Sequence, residues 1–383
     1  MKGAATVGRW RRGHWRYWAV IGLVLALVAA KWQPETGFTA LLRFGEPWHE
    51  RRLETLQSLP VAVTPGSHGY DGQFYAQIAT DPALRSPELE RALDNPAYRS
   101  RRIGLPWLAA LLGAGNTWWT LNVFALLNVA FWLALAALLY REIGDATTSG
   151  FARWAGCVLA LGTLESVRLS LVDLPALVLL VVAVRACRTG AARSSLLAAA
   201  AAVLTKETTL LGVAAGRTWR GGAGQWRRNA ITLLAVAAPL ALWLGFVQAR
   251  FGPAAETGWR GNLTLPGAAM VTQVSEWIAA CWRLEASDRV LFGLLGTFAA
   301  GVQVTVLATT VKERSSAWWR IGMAYSVLLF LLGPLVWQGH WAVARAILPL
   351  TVAFNLLLPA GPRFWLVWTL GNLAAVHGLV RFL

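Results

Sequence analysis

Charged side chains are scarce in this chain: Asp, Glu, Lys and Arg make up 14% of its 383 residues, and hydrophobic residues make up 56%. The mean hydropathy is +0.48. A soluble domain carries charge on about a quarter of its residues, because its surface faces water. The shortage of charge therefore excludes a soluble enzyme and a disordered tail. The apolar runs are continuous rather than alternating, which excludes an outer-membrane barrel and predicts membrane helices.

Cysteine and histidine are also rare, with 3 and 5 copies. Cys157, Cys187 and Cys281 are too scattered for a disulfide framework or a zinc site. We expect Cys157 and Cys187 to be buried in apolar helices, where a thiol behaves as a small hydrophobe. The histidines are dispersed and the pattern Asp-x-Asp is absent. The sequence therefore supports no metal site and no other cofactor.

Basic residues outnumber acidic ones by 35 to 19, which gives a net charge of +16. They gather in the N-terminal segment and in the stretches 185–193, 217–228 and 312–320, between apolar runs. Cytoplasmic loops of membrane proteins carry this excess of Lys and Arg, whereas a nucleic-acid surface would need one continuous basic stripe. We predict a multi-pass protein of a bacterial inner membrane, with a cytoplasmic N-terminus, membrane lipids as neighbours and no nucleic-acid partner.

The apolar runs predict an all-α polytopic fold with about ten membrane segments, forming a single unit over residues 1–383. The runs are 17–30, 103–113, 117–140, 151–165, 169–187, 194–213, 229–249, 288–311, 319–337, 343–359 and 363–382. The run 103–113 is too short to span. The first run favours an uncleaved anchor, although Val28-Ala29-Ala30 leaves a cleaved signal peptide open. Residues 250–287 form a second external loop.

The run 194–213 is interrupted by Lys206-Glu207. Ionisable residues inside an apolar run face a protein interior or a cavity. We therefore expect a re-entrant or broken hairpin, with these two residues at its external tip. The two charges either neutralise each other or line an active cavity. Asp173 at the outer end of its helix is expected to be a cap or a partner of Arg168.

Residues 32–102 form the first external loop and carry 9 of the 19 acidic residues. Two short helices are predicted in this structured loop. One covers Gly72–Thr80 and begins at Asp71, whose side chain caps it. The other covers Pro87–Leu93, with Ser86 as the N-cap residue and proline at the first helical position.

Two stretches of this loop resemble GT-C superfamily glycosyltransferases, in particular the mannosyltransferases related to PIG-V. They are 69–82, GYDGQFYAQIATDP, and 93–106, LDNPAYRSRRIGLP. The similarity covers about residues 69–110 and is loose elsewhere. The stretches 204–208, LTKET, and 344–349, ARAILP, are similar to recurring pieces of such proteins.

The resemblance implies transfer of a sugar from a polyprenyl-phosphate donor to an unidentified acceptor on the external face. It also implies an acidic catalytic residue in the first loop. Asp71 is the candidate general base that deprotonates the acceptor hydroxyl, and a cap alone is the competing interpretation. Arg345, Lys206, Arg101 and Arg102 are candidates to stabilise the departing phosphate, although the arginine pair could instead reach lipid headgroups.

Further candidates for substrate contact are Tyr70, Gln73, Tyr75, Glu207 and His340. The aromatic residues equally suit the core of the loop. His340 and Arg345 are expected in one short external turn between two late helices.

Two other functions stay open. The chain could be a transporter or flippase of lipid-linked or small polar substrates, although no internal repeat supports this. It could also be a non-catalytic GT-C-like subunit.

Overall fold

The computed structural model describes residues 4–143, 147–253, 261–285 and 287–383, with side chains from residue 14 onward. The structure is 72% helical, with 21 helices in the described ranges. The prediction of a mostly helical protein is confirmed. Part of the predicted second loop, 254–260, lies outside the described residues, as do the side chains of the N-terminal basic segment.

The first half of the chain holds eleven described helices and two short parallel strands. The helices are α1 (Ala4–Ala29), α2 (Glu54–Gln57), α3 (Asp71–Thr80), α4 (Leu89–Ala92), α5 (Pro96–Ser100), α6 (Gly104–Gly113), α7 (Thr117–Ile143), α8 (Thr148–Val158), α9 (Leu161–Arg168), α10 (Asp173–Arg188) and α11 (Ala192–Thr205). Strands β1 (Phe44–Gly45) and β2 (Val63–Thr64) pair in register within the first loop, flanked by 3-10 turns at Thr39–Leu42 and Glu46–Trp48.

The second half holds ten further described helices. They are α12 (Thr209–Gly216), α13 (Ala223–Phe251), α14 (Ala268–Trp282), α15 (Asp288–Thr309), α16 (Ala317–Leu331), α17 (Pro334–Trp337), α18 (His340–Ala346), α19 (Leu348–Leu357), α20 (Phe364–Gly371) and α21 (Ala374–Phe382). Helix α10 lies at the centre, where it packs against α7, α9, α11, α12 and α19.

Three described helices, α7, α13 and α15, are long and apolar enough to cross a membrane. The pair α18 and α19, which meet at an angle of 65°, adds a fourth if the two form one bent span. Only 17% of the apolar stretch of α13 is buried inside the protein. Lipid is the environment that suits such a surface, so the chain is a membrane-associated protein. The predicted count of about ten segments is not confirmed.

The first loop is a folded layer built around α3. Every residue of α3 from Gly72 to Ala79 is buried. The Gln73 amide accepts from the Gly45 N–H (2.9 Å) and donates to the His68 carbonyl (2.9 Å), while the Gln77 amide joins two other loop segments in the same way. These buried side chains tie the loop together and fix the position of the first residue of α3, Asp71.

Two local predictions about this loop were wrong. Helix α3 includes Asp71, and Tyr70 is its N-cap residue, without a capping hydrogen bond from a side chain. The Asp71 carboxylate is instead turned toward arginines. Helix α4 is shorter than predicted and begins two residues after Pro87, although the Ser86 hydroxyl does accept from the Glu88 N–H (3.2 Å).

Candidate functional site

The chain breaks between α11 and α12 at Lys206-Glu207-Thr208, as the interrupted apolar run predicted. The two charges do not neutralise each other. The Lys206 ammonium lies 2.5 Å from Asp173 Oδ1, at the start of α10. Asp173 Oδ2 also lies 3.4 Å from Arg345 Nη1. Asp173 is therefore a partner of Lys206 and Arg345, and the expected pairing with Arg168 was wrong.

Glu207 pairs with both arginines that precede α6. Arg102 donates from Nε to Oε2 (3.0 Å) and from Nη2 to Oε1 (2.9 Å), and Arg101 Nη2 lies 2.9 Å from Oε1. A two-pronged arginine–carboxylate pair is among the strongest hydrogen-bonded contacts in proteins. Both arginines therefore face the protein rather than the lipid headgroups.

Asp71 lies between Arg99 and Arg345. Arg99 Nη2 is 3.0 Å from Asp71 Oδ1, and the same guanidinium holds Asp94 through bonds of 2.8 and 2.7 Å. Asp71 Oδ2 lies 3.9 Å from Arg345 Nη1, beyond hydrogen-bond distance. The Asp71 side chain is 25% exposed, so a ligand can reach its carboxylate.

The electrostatic surroundings keep Asp71 ionised. Burial by itself raises the pKa of this carboxyl, but Arg99 and Arg345 lower it by more, so the pKa lies below the ordinary value of 3.8. A carboxylate with a low pKa is ionised and able to accept a proton at neutral pH, and the same low pKa makes it a weaker base.

Tyr70 connects Asp71 to helix α18. Its hydroxyl accepts from Arg345 Nη2 (2.9 Å) and from Trp341 Nε1 (3.1 Å). The Tyr70 hydroxyl can still donate its own proton to a ligand. The other two candidates from this stretch, Tyr75 and Gln73, have partners within the protein. Tyr75 is buried and its hydroxyl accepts from Arg102 (2.9 Å), and both ends of the Gln73 amide bind backbone groups.

The expected turn carrying His340 and Arg345 was wrong, because both residues lie in helix α18. They also face different neighbours. His340 is buried against Gly296 of α15, where a Cβ on the glycine would come within 2.0 Å of His340 Nε2. Arg345 is the member of this pair that reaches Asp71 and Asp173.

Two glycines let the helices approach closely enough to bring these charges together. A Cβ at Gly72 would lie 2.3 Å from the Leu169 carbonyl oxygen, in the segment just before α10. A Cβ at Gly104 would lie 2.4 Å from Thr205 Oγ1, next to Lys206. The first contact sets Asp71 beside Asp173, and the second sets Arg101 and Arg102 beside Glu207.

We name this set the ion-pair cluster. Its members are Asp71, Asp94, Arg99, Arg101, Arg102, Asp173, Lys206, Glu207 and Arg345. Five cationic groups face four carboxylates. Among the described residues, the buried Nε atoms of Arg101 and Arg345 have no hydrogen-bond partner. The cluster therefore has an excess of positive charge and hydrogen-bond donors, which suits an anion.

Sequence reasoning did not assign roles to Arg99 or Arg381. Arg381 Nε lies 2.8 Å from Glu165 Oε1, Arg168 Nη2 lies 2.9 Å from Glu165 Oε2, and Arg381 stacks over the Trp341 ring at 4.3 Å. This second group adds two cations and one buried carboxylate close to Tyr70. A lone arginine in the last apolar run was the available signal, since such residues face an interior.

Within the described ranges, no group of three His, Cys, Asp or Glu side chains could hold a metal ion. The absence of a cofactor stays a prediction. Of the cysteines, Cys157 is buried as expected, but Cys187 is exposed because it lies in the last turn of α10.

No protein family, curated protein or solved structure matches the chain. The resemblance of residues 69–110 to GT-C glycosyltransferases therefore stays a hypothesis based on those motifs.

Proposed function

We propose that the chain is a GT-C type glycosyltransferase of a bacterial inner membrane. It would transfer a sugar from a polyprenyl-phosphate donor to an acceptor at the external face, within a fold of about ten membrane segments. The observation that carries this proposal is the position of Asp71, a partly exposed carboxylate at the edge of a cluster with excess cationic side chains. Such a site pairs a proton acceptor with groups that bind a phosphate.

Each part of the cluster has a place in the proposed reaction. Asp71 Oδ2 takes the proton of the acceptor hydroxyl as its oxygen attacks the anomeric carbon of the sugar. The bond from that carbon to the phosphate oxygen breaks, and polyprenyl phosphate leaves with the additional negative charge. Arg345 and Lys206 stabilise this charge, while Tyr70 donates a hydrogen bond and holds Arg345 in place.

Donor binding requires the cluster to open. The cavity between Asp173, Lys206, Tyr325 and Arg345 has a volume of about 10 Å³, which is about the space for one water molecule. A phosphate would therefore take the place of Asp173 as the partner of Lys206 and Arg345. This exchange keeps both cations neutralised but removes the partners of Asp173, so the Asp173 carboxylate has to move to water or to another donor when the phosphate binds.

Mass spectrometry of lipids that co-purify with the detergent-solubilised protein tests donor binding. We expect a polyprenyl phosphate, or its glycosylated form, to be retained by the wild type and lost from Arg345→Ala. Arg283→Ala is the matched control, because Arg283 is exposed, pairs with Glu285 and lies outside the cluster. Equal retention of such a lipid by both variants would contradict the phosphate site at Arg345.

The donor so identified then permits a test of the base. Asp71→Asn should lower the transfer rate by roughly 10²–10⁴-fold, the usual contribution of a general base, because the amide cannot accept the acceptor's proton. Asp81→Asn is the control at the other end of α3, where Asp81 Oδ2 accepts from the Ser86 N–H (2.7 Å). Full activity of Asp71→Asn would refute the assignment. Bound donor without turnover in the wild type would favour a non-catalytic subunit.

One observation favours the alternative of a transporter or flippase. Leu180 of α10 lines both the small cavity at the cluster and a larger cavity of about 730 Å³ further along the same helix. A lipid headgroup could pass between the two cavities if Leu180 moved. Acceptor-independent movement of a labelled polyprenyl phosphate across liposomes, blocked by Leu180→Trp, would establish transport.

A further inference from the structure

The cavity of about 730 Å³ lies at the opposite end of α10 from the ion-pair cluster. Helix α10 begins at Asp173, in the cluster, and ends at Arg188, in the cavity wall. Its 16 residues place these ends roughly 24 Å apart, at 1.5 Å per residue. The basic rim of the cavity is therefore remote from the ion-pair cluster, although its inner wall reaches Leu180, which also lines the small cavity at the cluster. Its volume is in the range of sites for small organic ligands.

The three basic stretches of the sequence meet at this cavity. Residues 185–193, 217–228 and 312–320 each contribute to its wall. Together they contain ten Lys or Arg residues and one acidic residue, Glu313. Segments far apart in the chain thus bring positive charge to one place, which gives the cavity a binding preference for anions.

Two of the arginines in the wall have unused donors. Arg153 donates from Nη2 to the Leu358 carbonyl (2.7 Å), and Arg217 makes one long bond of 3.4 Å to Asn229 Oδ1. Among the described residues, the buried Nε atoms of both have no hydrogen-bond partner. A ligand in the cavity would reach the other nitrogens of these guanidinium groups, Arg153 Nη1 and Arg217 Nη2, which form no hydrogen bond among the described residues. An acceptor supplied there would stabilise both side chains.

Most other charged groups of the wall are already engaged; Glu313, which also lines it, forms no ion pair among the described residues. Arg320 donates to the carbonyls of Ala215, Gly216 and Ser315. Glu142 is held by Arg185 and Arg188. The donors left for a ligand are therefore those of Arg153 and Arg217.

The deeper wall of the cavity is apolar. Leu180, Val184 and Val213 line it on one side, and Leu356 and Leu357 on another. Inorganic phosphate would contact only the arginines and leave the apolar wall without a partner. A phosphodiester attached to a hydrocarbon chain would fill both the basic rim and the apolar wall. The combination of basic rim and apolar wall suits an amphiphile with a phosphate headgroup.

We propose that this cavity binds an anionic phospholipid of the leaflet that faces the basic stretches. Arg153 and Arg217 donate to the phosphate, and the start of an acyl chain lies against Leu180, Val184 and Val213. The proposal concerns a site separate from the ion-pair cluster and does not depend on the glycosyltransferase function.

Cys187 is a natural probe for the site, because its exposed thiol lines the cavity. In Cys281→Ser protein, the other cysteine, Cys157, is buried, so N-ethylmaleimide reports on Cys187. The alkylation rate would be measured in nanodiscs of phosphatidylcholine alone and in nanodiscs with added phosphatidylglycerol. We expect the anionic lipid to slow alkylation at least fivefold.

Arg217→Gln in this background should lose most of the protection. Arg227→Gln is the matched control, since Arg227 lies on the same basic stretch but is exposed and outside the cavity wall. Both variants remove one positive charge, so a general effect of membrane surface potential on the thiol would change them equally. Arg153→Gln, on a different helix, should reproduce the Arg217→Gln result, and thermal unfolding would confirm that each variant is folded.

Three outcomes would overturn the proposal. They are the absence of protection by phosphatidylglycerol in otherwise wild-type protein, equal protection of Arg217→Gln and Arg227→Gln, and equal protection by inorganic phosphate in phosphatidylcholine nanodiscs. The last would identify a site for a soluble anion instead of a lipid.

Discussion

Asp71 differs from a surface aspartate because two arginines hold its carboxylate, and this has a consequence for pH dependence. Its pKa in the folded protein lies below that of the unfolded chain, so the ion pairs contribute stability that is fully present above the unfolded pKa of about 4. That contribution is lost as the pH falls through the lower, folded pKa. We expect the thermal unfolding temperature of Asp71→Asn to fall less than that of the wild type between pH 5 and about pH 3.

Thermal unfolding in detergent, followed by tryptophan fluorescence, measures this difference. Glu35→Gln is a control that removes an exposed carboxylate of the same loop. A wild type and an Asp71→Asn protein with the same pH profile would contradict the ion pairing of Asp71. For the proposed transfer reaction, the same low pKa predicts no loss of rate from protonation of Asp71 between pH 7 and pH 5.

The sequence named most members of the ion-pair cluster but not their pairings. Lys206 and Glu207 were identified because charges are costly inside apolar runs, and Arg345 was identified as a candidate to stabilise the departing phosphate. Their partners are set by which helix ends pack together, and that depends on tertiary contacts such as the Gly104–Thr205 approach. Neighbours in sequence were therefore a poor guide: Lys206 and Glu207 point to different partners.

At the scale of elements, hydropathy predicted the long helices α7, α13 and α15. For most of the ends of these helices, the predicted position is within a few residues of the observed one. Hydropathy missed the breaks that split other runs, such as the one between α18 and α19. That break lies just before Pro349, which occupies the first turn of α19. Contacts with neighbouring helices are a further constraint on where helices can run. Close approach at glycine is one such constraint, and it can be tested directly.

Gly72→Ala should destabilise the protein, because the added methyl group would overlap the Leu169 carbonyl oxygen at 2.3 Å. Overpacking of this kind costs about 1–3 kcal/mol. Gly301→Ala in helix α15 is the control, since nothing lies within 4 Å of its added Cβ, and we expect it to be neutral or stabilising by about 0.5–1 kcal/mol. Thermal unfolding in detergent would rank the two variants. A Gly72→Ala protein as stable as Gly301→Ala would contradict the close contact between α3 and the segment before α10.

At the scale of the whole molecule, charge is divided between two ends. The ion-pair cluster lies at one end of α10, and the basic stretches surround the cavity at the other end. The positive-inside rule assigns the basic end to the cytoplasm, which would place the cluster toward the outside. The distribution of Lys and Arg thus predicts which end of the protein faces the cytoplasm, and the helix bounds and the packing do not determine this.

The natural cysteines can test this orientation, because no cysteine has to be introduced. Cys187 lies in the basic stretch assigned to the cytoplasm, and Cys281 lies near the end of α14, in the loop assigned to the outside. A membrane-impermeant maleimide should therefore modify Cys281 in right-side-out vesicles and Cys187 in inverted vesicles. Single variants Cys187→Ser and Cys281→Ser identify the labelled position, and Cys157, which is buried, should react only after denaturation. The opposite pattern would place the ion-pair cluster in the cytoplasm, where a reaction at the external face could not occur.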